Sequence, residues 1–128
     1  MYLLDTNICI KIMNKTIDVV FEAKRSEGVA VSVITCAELE YGIAKSKYYE
    51  ENKKILLTFL TLVDILPFDY DASVHYGDIK SDLEKRGCVI GNMDMMIAAH
   101  ARSQGLTVVT NNTREFERVD GLKLEDWV

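Results

Sequence analysis

A chain of 128 residues has the length of one ordinary domain, spanning 1–128, and its 48% hydrophobic and 27% charged residues are those of a water-soluble globular protein. One proline and seven glycines leave no disordered tail, no run reaches the roughly 18 apolar residues of a membrane span, and the N-terminus lacks the pattern of a signal peptide, so the expected compartment is the cytoplasm. A net charge of −5, taken alone, speaks against a nucleic-acid partner, unless several acids are gathered in one pocket and neutralised there by metal ions.

Tyr2 to Leu4 opens the chain as a short apolar run and reads as a first strand, ending directly on Asp5, Thr6 and Asn7. Val29 to Ile34 reads as a second strand, followed by Thr35 and Glu38 at the start of a helix. A long helix covers about Glu50 to Leu62, and Val63 to Leu66 reads as a third strand. From Ala72 to Leu83 the apolar residues Ala72, Tyr76, Ile79 and Leu83 recur every three or four positions and line one helical face. The segment GCVIGNMDMMIAAHA follows, with Asn92 as a candidate cap and Asp94 in the first turn of another helix. Leu106 to Val109 reads as a fourth strand, left through Thr110, Asn111 and Asn112, and Leu122 to Leu124 adds a short final strand after Gly121. Strands rich in Val, Ile and Leu that alternate with helices predict an α/β fold, with a central parallel sheet of four to five strands covered by helices on both faces. In such a sheet ligands bind outside the carboxyl ends of the strands.

Each acid at a strand end has a local explanation. Thr35 with Glu38, and Asn112 with Glu115, fit capping pairs, and Asp94 suits the positive end of a helix. Together they say more: in one parallel sheet Asp5, Glu38, Asp94 and Asn112 would all emerge at the same edge. Carboxylates gathered within about 6 Å of one another raise each other's pKa unless a cation lies between them. Oxygen ligands of this kind suit Mg²⁺ or Mn²⁺, and the chemistry they suggest is metal-dependent phosphodiester hydrolysis. Cys9, Cys36 and Cys88 form no CxxC pair, and with His75 and His100 the only histidines, soft-metal sites have few ligands. His100 in MMIAAHA and His75 read as packed histidines, Met93, Met95 and Met96 as filling of core or interface, and the cysteines as small buried hydrophobes.

The blocks MYLLDTN, VSVITCAELEYG, IGNMDMMIAAHA and LTVVTNNTREFERV, closed by EDWV, come in an order that resembles the PIN-domain ribonucleases, and within them the VapC toxins of toxin–antitoxin pairs. The resemblance implies a three-layer α/β/α sandwich, a pocket holding Mg²⁺ or Mn²⁺, and endonucleolytic cleavage of RNA such as tRNA. The family's acids fall on Asp5, Glu38 and Asp94, while a fourth acidic position falls on Asn112. Asp5 and Asp94 are expected to coordinate the ion, with Glu38 as direct or water-mediated ligand, Thr6 and Asn7 positioning Asp5 and a phosphate, and Asn112 supporting from behind. RNA contacts are expected from Arg114, Lys45 and Arg86, with Lys47, Lys85, Arg102 and Arg118 as further candidates. The same resemblance implies a VapB-type antitoxin and a homodimer, with Ile8, Ile10, Ile12, Met13 and the helices from Tyr48 to Leu62 as candidate surfaces. Two rivals are a receiver-like module with an acidic Mg²⁺ pocket and a PIN-like protein that binds RNA without cutting it. A receiver would carry paired acids after its first strand and a Lys after its fifth, where this chain has Asp5 alone and no such Lys.

Overall fold

The computed structural model describes all 128 residues. Five strands, β1 (Tyr2–Leu4), β2 (Val29–Ser32), β3 (Asp64–Leu66), β4 (Thr107–Val109) and β5 (Lys123–Glu125), form one sheet in the order β3-β2-β1-β4-β5. Every pairing is parallel, with Tyr2 opposite both Val29 and Thr107. The connections are α1 (Thr6–Met13) and α2 (Asp18–Lys24), then α3 (Val33–Ala44) and α4 (Tyr49–Leu60), then α5 (Tyr70–Lys85) and α6 (Asn92–Gln104), and finally α7 (Thr113–Phe116).

Because successive side chains of a strand point to opposite faces, the short strands feed two cores. Tyr2, Leu4, Val29, Val31 and Val109 join Ile8, Phe21, Leu39, Leu56 and Phe59 of α1 to α4. Leu3, Ala30 and Val108 join Ile79, Leu83, Met95, Ile97 and Phe116 of α5 to α7. The result is the three-layer α/β/α sandwich expected from the alternation of strands and helices. Central β1 is buried at all three residues, so it forms a fixed floor. The chain winds outward from β1 through β2 to β3, then crosses back to β4 on the other side. The strand order therefore switches direction between β1 and β4, which places the binding crevice outside their carboxyl ends.

Three expectations need correction. The second strand stops at Ser32, and Val33 and Ile34 already belong to α3 despite their β-branched side chains. Burial on both faces fails for β3, which is an edge strand with Asp64 exposed and Ile65 47% exposed. Among the cysteines only Cys9 is fully buried, while Cys36 and Cys88 are partly exposed.

Candidate metal centre

Asp5 begins the site. Its N–H donates to the Val109 carbonyl at 3.0 Å, tying the end of β1 to β4, and its Oδ1 accepts the Ile8 N–H at 2.9 Å, which caps α1. The residue is only 4% exposed. Burial pushes its carboxyl pKa up, Glu38 and Asp126 push the same way, and the Thr110 hydroxyl and the Ile8 N–H act against them. Thr110 is itself fully buried and its Oγ1 accepts the Asn112 N–H at 2.9 Å, so its hydroxyl proton is left to face Asp5.

Glu38 sits in the second turn of α3, but the capping pair of Thr35 and Glu38 does not form. The cap is Ser32, whose Oγ accepts the Ile34 N–H at 3.1 Å, while Thr35 is buried inside the helix with its hydroxyl unpartnered. Glu38 instead uses Oε1 to accept the Thr6 hydroxyl at 2.6 Å. Thr6 therefore orients Glu38 rather than Asp5. Ser32 is held from a second direction: its Oγ lies 2.8 Å from Nδ1 of buried His100 on α6. Oγ and Nδ1 share one hydrogen bond, while Nε2 has no partner. Burial lowers the His100 pKa and so favours the neutral ring.

Asp94 occupies the first turn of α6. Asn92 is not the cap: Gly91 holds that position and gives no side-chain bond, and Asn92 Oδ1 instead accepts the Tyr76 hydroxyl at 2.8 Å. Burial, then Asp5, Glu115 and Glu38 in turn, raise the Asp94 carboxyl to about 6. Glu115 is thus a fourth acid at this edge. In the sequence it read only as the capping partner of Asn112, and that pair is absent, because Asn112 begins α7 without a side-chain cap bond. No local pattern marks Glu115, because its nearness to Asp94 depends on the pairing of β4 with β1.

No lysine or arginine pairs with Asp5, Glu38, Asp94 or Glu115; the ion pairs of the molecule lie elsewhere. Nor are any three of these acids drawn in to chelating distance of one point. Separated, mutually repelling carboxylates with hard oxygen donors fit a divalent cation that keeps part of its water shell, as Mg²⁺ does. The donor set does not fit a soft metal.

The predicted RNA-binding cations part company. Arg114 is exposed and makes no ion pair, and Lys45 lies 4.7 Å from the centre of the Tyr41 ring, one helical stretch beyond Glu38. Arg86 is already engaged, with Asp82 at 2.6 Å and with the Arg118 carbonyl, and so is not a free cation. Arg102 is likewise taken up by Asp78 and His75. Two clefts flank the acids on either side of α1. One, of about 280 Å³, is an apolar groove that includes Thr6, Glu38, Ile10, Met13, Ile43 and Ile55. The other, of about 340 Å³, is lined by Asn7, Ile10, Lys11, Asn14, Thr16 and Asn111. Of the apolar surface expected from α1, Ile8 and Ile12 are core, while Ile10 and Met13 reach the groove.

The model of the PIN domain family matches residues 2–122. The chain is 46% identical to the tRNA(fMet)-specific endonuclease VapC of Shigella flexneri, over 98% of this chain and 97% of that protein. It superimposes on the crystal structure of VapBC2 from Rickettsia felis bound to a promoter DNA fragment with a TM-score of 0.94 at 40% identity, covering 99% and 98% of the two chains. DNA-bound VapBC from Salmonella typhimurium gives a TM-score of 0.94 at 41% identity, with 99% and 98% covered. With sequence, fold and acidic crevice in agreement, the chain belongs to the PIN-domain family, in its VapC ribonuclease branch.

Proposed function

We propose that this chain is a divalent-metal-dependent endoribonuclease, the toxin of a toxin–antitoxin pair acting in the cytoplasm, with Mg²⁺ or Mn²⁺ as its ion and tRNA or another structured RNA as its substrate. The observation that carries the reading is Asp94, a carboxyl raised to about 6 by burial and three neighbouring acids with no cationic side chain against it. Such a group is stabilised by an arriving cation. The substrate named for the Shigella relative supports tRNA.

In this reading Asp5, Asp94 and Glu38 hold the ion, with Glu115 beside them and the Asn112 carbonyl in support. Bound by these residues, a divalent cation would supply charge stabilisation at the phosphate and a more acidic water, so no histidine base would be needed. Glu38 has Oε1 fixed by Thr6 and keeps Oε2 to orient the attacking water and take its proton. Thr6 is a positioning residue acting through Glu38. Asn7 and Arg114 meet the phosphate, and Lys45 grips the strand farther out.

Purified protein mixed with total tRNA, followed by sequencing of the new ends, tests this. Cleavage should vanish with EDTA and return with Mg²⁺ or Mn²⁺. Asp5→Asn and Asp94→Asn should lose about 100-fold or more, the scale of removing one charge-stabilising group. Glu38→Gln keeps an acceptor for Thr6 and hence the fold; if that variant cleaves like the parent, Glu38 has no part in the chemistry.

The solved VapBC complexes support an antitoxin partner, and we place one of its segments in the apolar groove between α1, α3 and α4, because that groove opens beside Glu38 and a chain lying in it reaches the acids. Ile55 is 47% exposed there, so Ile55→Asp should leave cleavage intact and weaken antitoxin binding by about 10-fold or more in a titration, the cost of burying a charge in an apolar contact.

A further inference from the structure

The second cleft is chemically unlike the first. Asn7, Asn14 and Asn111 converge on it with Lys11 and Thr16, and Ile10 supplies an apolar wall. No side-chain hydrogen bond is made by the amides of Asn7, Asn14 or Asn111, and the Lys11 ammonium has no ion pair. By contrast, the amides of Asn52 and Asn92 are bonded to Ser46 and Tyr76. Single exposed amides are ordinarily just solvated. Three free ones facing one cleft, with no acid among the lining residues, make a donor and acceptor surface that nothing inside the protein uses.

The cleft also lies next to the acids in the fold. Asn7 is two residues beyond Asp5 on the first turn of α1, and Asn111 follows Thr110, the residue whose hydroxyl faces Asp5. We propose that this cleft is a nucleobase subsite, seating one base of the RNA that flanks the scissile phosphate and reading its edge through Asn14 and Asn111, with Lys11 on the neighbouring phosphate. The proposal rests on the endoribonuclease reading above.

Three physical points support it. A side-chain amide presents a donor and an acceptor side by side, the pattern that matches the edge of an unpaired base. The volume of about 340 Å³ lies at the lower end of the range of small-molecule pockets. The cleft contains no aromatic ring, so a base there is held by its edge rather than by stacking, and edge contacts discriminate between bases where stacking does not. The sequence-indifferent grip is available farther along α3, where Tyr41 is 66% exposed beside Lys45.

The test is digestion of a random-sequence RNA oligonucleotide pool with Mg²⁺, sequencing of the cut ends, and comparison of wild type with Asn14→Ala/Asn111→Ala and with Lys11→Ala. Wild type should show a base preference at a position beside the cut, and the double variant should still cleave but lose about 10-fold of that preference at that one position. Lys11→Ala should slow cleavage of all sequences alike and flatten its salt dependence. An unchanged profile in a double variant that cleaves overturns the subsite while leaving the nuclease reading intact. A wild type that cuts nothing with Mg²⁺ or Mn²⁺ overturns both. Should the double variant be poorly folded by circular dichroism, Asn111→Ala alone, at an exposed loop position, gives the same decision.

Discussion

Helices α3 and α6 begin at the same edge of the sheet and each delivers one acid, yet they start in opposite ways. The first turn of α3 is closed: Ser32 caps it, neutral His100 fixes Ser32, and Thr6 fixes Glu38. The first turn of α6 is open: Gly91 provides no side chain, and Asp94 faces Asp5, Glu38 and Glu115 with no donor side chain of its own. Hydrogen bonds therefore determine where Glu38 points, whereas Asp94 is held in place by backbone alone and destabilised by its neighbours. The contrast teaches which half of the site is built in advance and which half is completed by a cation.

Breaking the closed end should have the largest effect. Ser32→Ala removes a helix cap, about 1 kcal/mol, and strands the buried Nδ1 of His100 without a partner, about 1–3 kcal/mol more. A loss of about 2–4 kcal/mol in urea denaturation is expected; a loss below about 1 kcal/mol would mean that His100 contributes packing only. His100 also sets a pH slope. Its folded pKa is depressed by burial from 6.5, so the stability present above that value should decline as pH falls below it, and His100→Leu should remove the decline.

At the open end the sign reverses. Asp94 titrates near 6 in the folded protein against 3.8 for the free side chain, so the folded state binds the extra proton between these values. Stability from this group is present below about pH 3.8 and is lost as pH rises through about 6. Asp94→Asn should consequently make the metal-free protein more stable at pH 7.5, by about 1–2 kcal/mol once solvent screening of a half-buried group is allowed for. The gain should shrink toward pH 4, and added Mg²⁺ should stabilise the parent but not the variant. Denaturation curves in EDTA at the two pH values check the sign, and a variant less stable than the parent at pH 7.5 would refute the account of an unpaired, repelled carboxylate.

The same contrast shows what the sequence could and could not reveal. Strand β1 ending on Asp5, the parallel sheet and the placing of Asp94 in a first helical turn were all readable from apolar runs and their punctuation. The start of α3 was not: Thr35-x-x-Glu38 matches a capping box better than anything around Ser32, and Val33 and Ile34 have strand preferences. Packing overrode both, because a helix starting at Val33 lets His100 reach Ser32 across 68 positions of chain. Glu115 was hidden for a related reason. Its nearness to Asp94 is created by the return of β4 beside β1, which no local pattern encodes.

The smallest effect belongs to Gly91. Its φ of −59° and ψ of 148° suit any L-residue, and a Cβ there would sit 3.7 Å from Asp94 Oδ2, an ordinary contact. Gly91→Ser should thus be accommodated, and its hydroxyl would accept one of the free N–H groups of the first turn of α6. Serine exceeds glycine as a cap by only a few tenths of a kcal/mol, so the expected gain in stability is of that size. The informative part is what accompanies it. If the open start of α6 serves the site, closing it should weaken Mn²⁺ binding in a calorimetric titration while stability rises. A gain in stability with unchanged Mn²⁺ affinity would show that the free N–H groups of α6 play no part in the metal centre, and that its carboxylates suffice.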